Sequence, residues 1–431
     1  MRAVFTLSQA IQEASRCLLC HDAPCSAECP AKTDPGTFIR KLRFRNIKGA
    51  VRTIKENNIL GGVCGVVCPV SRLCQKACSA TEIDRPIEIG DLQRFLVEYG
   101  WDTGFFPVEK APANEIKVAV VGSGPAGLAG AAELAKNGFA VAVFEAREKA
   151  GGVLRYGVPE FRLNSAFLDR EIEDLKKLGV VFHCKNRIGP QGVDKLFKQG
   201  FQAVFVAPGL WSPRKVRIPG SDLVGVATAA EFLESVRRGS PAQAAGLVKN
   251  KNVAIIGGGS VAMDIATTAK ALGAKKVYSI CLESLAEIPA DQDDLQLARD
   301  NFVILKPQCQ LTEIVGRRGR VTGVKGTETE WVRPKLFVPS NARAVPGTEF
   351  SLRVGAVIMA VGTGPEPSLR ELSSRIAFAK NGSIAVRQDG VSTADPRIFA
   401  GGDIVRGPAL VVQAVADGKE AAKRIAARLA K

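Results

Sequence analysis

Apolar residues recur at helical spacing from Thr37 to Asn57 and again from Ile87 to Tyr99, so the first hundred residues read as helical. Between those stretches Gly61-Gly62 and Pro69 interrupt the pattern and predict a loop-rich segment. A linker from Phe106-Pro107 to Asn114 follows, and then the pattern changes. Ile116 to Val121 is a nearly continuous apolar run, of the kind buried on both faces of a parallel sheet. A helical pattern reaches Asn137-Gly138, and a second strand spans Val141 to Phe144. The same succession returns as a strand at Asn252 to Ile256, a helix to Leu272-Gly273 and a strand from Lys276 to Cys281. Strands alternating with helices predict α/β domains built on parallel sheets. The run Arg317-Arg318-Gly319-Arg320 predicts a hairpin turn.

Both strand–helix–strand units carry glycine loops. Val121 leads into Gly122-Ser123-Gly124-Pro125-Ala126-Gly127, and the second strand of that unit ends in Glu145. Glycines permit a tight turn and close approach of backbone to a pyrophosphate, while the acidic residue suits ribose hydroxyls. Ile256 leads into Gly257-Gly258-Gly259-Ser260-Val261-Ala262, with Ala262 in the place of the third glycine and Glu283 after the next strand. Glu283 would accept from an adenosine ribose and repel a 2′-phosphate, which favours NAD(H) over NADP(H), although Lys275 and Lys276 stand nearby. Two separate nucleotide domains are expected.

Of eleven cysteines, eight fall in two runs, Cys17, Cys20, Cys25, Cys29 and Cys64, Cys68, Cys74, Cys78. The first reads C-x2-C-x4-C-x3-C followed by Pro30, close to the ferredoxin pattern in which the cysteine before proline serves a second cluster. By spacing alone all eight are candidate ligands, and two structural zinc sites are the competing reading. Cys184, Cys281 and Cys309 are isolated and read as core thiols. Nucleotide loops and one-electron centres on one chain point to electron transfer.

The net charge of +16 invites a nucleic-acid reading, but the basic residues are scattered and no RNA- or DNA-binding signature accompanies them. No apolar stretch reaches the length of a membrane span, and Met1 to Gln12 lacks signal-peptide architecture. A cytoplasmic protein that binds neither nucleic acid nor membrane is expected. At 431 residues it has room for two or three domains.

The run Arg16-Cys17-Leu18-Leu19-Cys20-His21-Asp22-Ala23-Pro24-Cys25, the residue Gln93, the stretch from Gly152 to Leu163 and the glycine loops together resemble one module. It is shared by the glutamate synthase small subunit and the N-terminal half of dihydropyrimidine dehydrogenase. Five residues separate Cys68 from Cys74, and Leu282-Glu283 stand where NADPH-using relatives carry basic residues. In both respects the chain is most similar to the electron-input subunits of bacterial NAD-dependent dihydropyrimidine dehydrogenases. It departs from the family's commoner residues at Ser260, where Asn is frequent, and at Leu410, where Thr is frequent.

The resemblance implies an α/β two-dinucleotide-binding flavoprotein, with two Rossmann-like domains, preceded by an α-helical iron–sulfur domain. Residues 1–112 would bind two 4Fe–4S clusters, 113–225 and 350–431 FAD, and the inserted 226–349 NAD(H). It assigns FAD to Gly122, Gly124, Pro125, Ala126, Gly127, Glu145, Gly152, Leu154, Arg162, Gly402 and Asp403. The nicotinamide nucleotide falls to Gly257, Gly259, Ser260, Val261, Ala262 and Glu283. One cluster would take Cys17, Cys20, Cys25 and Cys78; the other Cys29, Cys68, Cys74 and Gln93, with Cys64 unligated. Hydride from NADH would reach the flavin, and electrons would leave singly through the clusters. They would pass to an FMN- and iron–sulfur-containing partner, in a heterotetramer, that reduces uracil or thymine. Other electron acceptors, such as a glutamate synthase large subunit or a ferredoxin, remain open. No side chain presents itself as a catalytic acid or nucleophile for a pyrimidine, His21 and His183 reading as structural.

Overall fold

A computed structural model describes residues 5–238 and 241–430. They form two compact units, one of residues up to Arg155 with Glu160–Leu210 and the segment from Pro365 onward, the other of Trp211–Gly364 with Tyr156–Pro159. The ends of the second unit lie outside the 226–349 segment expected to bind NAD(H).

The first unit begins with helices α1 (Leu7–Ser15), α2 (Pro24–Ala27), α3 (Pro35–Arg43), α4 (Ile47–Asn57), α5 (Gly61–Val67) and α6 (Ile89–Asp102). The single apolar pattern from Thr37 to Asn57 is thus two helices. Arg45 adopts φ +61°, and Asn46 caps α4 by accepting from the Gly49 N–H at 2.9 Å. Phe38, Ile39 and Leu42 of α3 and Val51 and Ile54 of α4 bury into one core with Leu92 and Leu96 of α6. The apolar period runs across the break because both helices face that core. Gly61-Gly62 opens a helix where a loop was expected. A Cβ on Gly61 would lie 2.3 Å from Ile54 Cγ2 and one on Gly62 would lie 2.5 Å from Glu171 Oε1. These glycines serve close packing rather than a turn.

Strands β1 (Lys117–Val121), β2 (Ala140–Phe144), β3 (Val181–His183) and β4 (Ala203–Val206) join Ile398–Ala400 in a parallel sheet. Its order is Ile398–Ala400, β4, β1, β2, β3, so the order reverses at β1, where open α/β sheets bind ligands. Helix α7 (Pro125–Lys136) follows β1, and the C-terminal helix Val411–Leu429 packs on it. The approach is close enough that a Cβ on Gly418 would lie 2.2 Å from Ala126 O.

The second unit repeats the plan with β5 (Val226–Thr228), β6 (Asn252–Ile256), helix α8 (Ser260–Ala271), β7 (Lys276–Ile280), β8 (Val303–Lys306) and β9 (Ala356–Met359). All pairings are parallel, in the order β5, β9, β6, β7, β8. Arg318 and Gly319 both take positive φ in the expected hairpin turn between Cys309–Arg317 and Arg320–Trp331. Among the described residues no helix is long and apolar enough to cross a membrane.

Candidate functional site

The cysteines sort into two sets. Cys17, Cys20, Cys25 and Cys78 line one cavity, walled by Ile39, Ile87 and Ile89. Cys29, Cys68, Cys74 and Gln93 line a second, together with Cys64 and with Val412 from the C-terminal helix. Proline at N1 of α2 starts the turn that carries Cys25 into the first set, and Cys29 follows that helix. Gln93 donates its amide N–H to Gly61 O, leaving its oxygen as the atom available to a metal. Cys64, expected from spacing but passed over by the resemblance, is buried in the second cavity, with Asn58 Nδ2 donating to its sulfur at 3.4 Å.

Burial, then the neighbouring Cys78 and Cys17, pushes the Cys25 thiol up to about 11. Burial, then Cys29 and Cys25, pushes Cys74 up to about 12. Such groups resist ionising beside one another, and cationic iron reverses that preference. Four sulfurs line the first cavity, and four with the Gln93 amide line the second, a donor chemistry that suits iron–sulfur clusters.

The first glycine loop has the features of a nucleotide cradle. Gly122 takes φ +100°, and a Cβ there would lie 2.3 Å from Ala207 O. A Cβ on Gly127 would lie 2.0 Å from Gly122 O, whereas one on Gly124 would meet nothing within 4 Å. Gly122 and Gly127 are therefore required by the protein's own packing, whereas Gly124 is free of any such contact. Buried Glu145 accepts from the Ser123 N–H at 3.2 Å, from the Ser123 hydroxyl, and from the Arg147 N–H at 2.8 Å. The Ser123 oxygen accepts from the Gly151 N–H at 3.0 Å, tying the Gly151-Gly152 turn to the loop. Gly402 brings the late motif against Ala126, its absent Cβ 3.0 Å from that side chain. Its N–H donates to Asp417 Oδ2 at 2.9 Å, and Arg406 pairs with the same carboxylate. Burial, with the charge of Asp417, raises the neighbouring Asp403 to about 6. Leu154 is buried and Arg162 half-buried.

In the second loop, Gly257 takes φ +137° against Ala360 O, and Gly259 is open as Gly124 is. Ser260 Oγ accepts from the Asp291 N–H at 3.2 Å, Ala262 is buried and Val261 half exposed. Strand pairing sets Ile256 opposite Ile280, so Cys281 occupies the position that Glu145 has in the first loop. Glu283 stands two residues further on, and its carboxylate would lie 3.5 Å from a Cβ on Gly258.

His183 stacks on Phe144 with ring centroids 5.1 Å apart, and His21 lies fully exposed beside Asp22. Asn58 and Ser123 were not anticipated. Only Ser123, inside the glycine loop, carried a sequence signal.

Residues 116–418 match the profile of the pyridine nucleotide-disulphide oxidoreductases, and residues 1–105 that of dihydropyrimidine dehydrogenase domain II, 4Fe-4S cluster. The chain is 39% identical, over 98% of its length and 94% of the relative's, to the NAD-dependent dihydropyrimidine dehydrogenase subunit PreT of Escherichia coli K12. The chain belongs to the PreT family. The chain is also 31% identical to the glutamate synthase [NADPH] small chain of E. coli K12, over 98% of this chain and 92% of that one. FprA of Mycobacterium tuberculosis superposes with a TM-score of 0.61 over 74% of this chain and 85% of its own, at 17% identity. That likeness establishes the fold alone, two Rossmann-like domains.

Proposed function

We propose that the chain is the electron-input subunit of an NAD-dependent dihydropyrimidine dehydrogenase, taking hydride from NADH and delivering electrons to an FMN- and iron–sulfur-containing partner that reduces uracil or thymine to the 5,6-dihydro form. A cytoplasmic heterotetramer of the two subunits is part of this reading. The observation that carries it is the meeting of three features in one unit. Two cavities each gather four candidate ligands, and the second is also lined by Val412, in the first turn of the helix that follows the Gly402-Asp403 motif.

When bound, FAD supplies the exchange between two-electron and one-electron chemistry, and the clusters supply a one-electron relay. Gly122, Gly124, Pro125, Ala126 and Gly127 present backbone to the FAD pyrophosphate, and Glu145 holds the ribose. Gly152, Leu154 and Arg162 from the second turn, and Gly402 and Asp403 from the late motif, complete the flavin's surroundings. The first N–H groups of the C-terminal helix give a positive end that favours an electron-rich ring. In the second unit Gly257, Gly259, Ser260, Val261 and Ala262 receive the pyrophosphate of NADH, and Glu283 selects against a 2′-phosphate. Cys17, Cys20, Cys25 and Cys78 hold one 4Fe–4S cluster; Cys29, Cys68, Cys74 and Gln93 hold the other. No residue here transfers a proton to a pyrimidine, a task left to the partner.

The test is anaerobic co-purification with the candidate FMN partner, following NADH and NADPH oxidation with and without uracil or thymine. Pyrimidine-dependent NADH oxidation, with NADPH poor, is expected. If NADH reduces the flavin and no pyrimidine drains the electrons, the assigned acceptor is wrong and a glutamate synthase-type or ferredoxin acceptor takes its place.

A further inference from the structure

Behind the second cavity lies a buried polar chain. Cys29 Sγ is 3.4 Å from the Thr33 amide nitrogen, in donating geometry, and 3.5 Å from Thr33 Oγ1. Asn58 Nδ2 donates to Thr33 Oγ1 at 3.1 Å and to Cys64 Sγ at 3.4 Å. Asn58 Oδ1 accepts the Leu60 N–H at 3.0 Å, which fixes which end of the amide faces Thr33. Thr33 and Asn58 are each 1% exposed.

A threonine hydroxyl has one proton and two lone pairs. Asn58 occupies a lone pair, so the proton remains to be given, and Cys29 Sγ is within reach of it. As a free thiol Cys29 can share its own proton with Thr33. A Cys29 sulfur bound to iron has no proton and can only accept. It then receives two hydrogen bonds from one residue, the N–H and the O–H of Thr33. Buried from water, these bonds act in a low dielectric and are not exchanged for solvent.

We infer that Thr33, held in orientation by Asn58, raises the reduction potential of the cluster held by Cys29, Cys68, Cys74 and Gln93. The inference rests on the proposed reading that this cavity holds a 4Fe–4S cluster. Reduction adds one electron, supplied by NADH through the flavin, and makes or breaks no bond and moves no proton. Donors aimed at a ligating sulfur stabilise the added negative charge, and hydrogen bonds to sulfur are among the levers that set cluster potentials. Thr33 is a positioning residue that acts through Cys29, and it makes this cluster an easier acceptor of flavin electrons. At the other cavity Ser79 Oγ lies 3.5 Å from Cys20 Sγ and is only half-buried.

The experiment is a potentiometric titration of the full chain followed by electron paramagnetic resonance, with iron and acid-labile sulfide measured on each sample. Thr33→Val keeps the shape and the N–H but removes the O–H. It is expected to retain its iron, to move one cluster signal to lower potential and to leave the other unmoved. Thr33→Ser, which restores the hydroxyl, is expected to return that signal towards its original potential. Ser79→Ala touches only the first set and is expected to leave the shifted signal where it is in the unaltered chain. If Thr33→Val fails to load, Thr33→Ala removes the hydroxyl without an added methyl and gives the same readout. A loaded hydroxyl-free variant with unchanged potentials overturns the inference. An unaltered chain with iron for only one cluster overturns the reading beneath it, a result visible before any variant is made.

Discussion

The Lys55 ammonium lies 3.1 Å from the Glu171 carboxylate, and both side chains are shut away from solvent. Asp174 completes the group at 2.8 Å from Lys55, and it accepts the Trp101 indole N–H at 2.8 Å. Lys55 belongs to α4 of the cysteine-bearing helices, whereas Glu171 and Asp174 lie on the helix Ser165–Lys177 that belongs with the first sheet. The group pins these parts of the unit together with charge. Burial alone would lower the Lys55 pKa, but the attraction of Glu171 and Asp174 outweighs it and the net shift is upward. Lys55→Met would remove the cation between two buried carboxylates, leaving Glu171 only the Val63 N–H and Asp174 its contacts with Trp101 and Lys177. A loss of about 3–5 kcal/mol is expected, because breaking a buried pair leaves an uncompensated charge. Denaturant unfolding of the variant against the unaltered chain measures it, and a loss under about 1 kcal/mol would mean that water reaches the group.

The glycine loop makes a prediction that separates folding from binding. Gly124→Ala adds a methyl where the chain itself has nothing within 4 Å, at an ordinary extended backbone conformation. The variant is expected to fold within about 0.5 kcal/mol of the original and to purify with little flavin. Gly127→Ala sets a methyl 2.0 Å from a backbone oxygen of the same loop, so α7 must move away from β1. Overpacking of that kind costs about 1–3 kcal/mol or more and should lower stability even in flavin-free protein. Absorbance of bound flavin and thermal unfolding, measured on both variants, distinguish the two effects. Equal behaviour would show that Gly124 is not where the nucleotide approaches.

The parts legible in the sequence were those whose meaning is local. The two glycine loops, their strands and the hairpin at Arg318-Gly319 follow from chemistry within a few residues, and the resemblance named donor sets that line two separate cavities. What escaped depends on partners far along the chain. The break between α3 and α4 turns on a positive φ at Arg45, which no apolar period records. Gly61-Gly62 reads as a helix breaker until Ile54 and Glu171 are seen pressed against it. Thr33 and Asn58 meet across 25 residues of sequence, with no motif to announce them. The place of Glu283 after its strand was legible, and the register adds that it is displaced by two, Cys281 following Ile280 where Glu145 follows Phe144.

That displacement bears on nucleotide choice. Glu283 stands half-buried near the Gly258 backbone, where an adenosine ribose would approach if the second loop receives NADH as proposed. Glu283→Arg replaces a charge that repels a 2′-phosphate with one that pairs with it. The ratio of kcat/KM for NADH over NADPH, with an artificial acceptor, is expected to fall at least about tenfold, about 1.4 kcal/mol of discrimination. The change should appear mainly in KM, since the adenosine end lies far from the transferred hydride. An unaltered ratio would place the selecting contact on Cys281 or the nearby lysines.

Asp403 gives the chain a pH dependence of defined sign. Burial, reinforced by the Asp417 charge, raises its folded value to about 6 from the ordinary 3.8. The folded state therefore favours the protonated acid, and the associated stability is full below the unfolded value and is lost as pH rises through about 6. Between pH 5 and pH 7 the flavin-free chain should lose about 1 kcal/mol from this group, set by the slope of about 1.4 kcal/mol for each unit of pKa difference. Asp403→Asn cannot ionise, so its stability should lack that component. The informative quantity is the difference between variant and original across the window, because other groups titrate alike in both. Urea midpoints at pH 5, 6 and 7 supply it, with the variant gaining on the original as pH rises. A difference that stays flat would mean that Asp403 is already ionised at pH 5, with its charge met by Arg406 and by the Ala409 backbone.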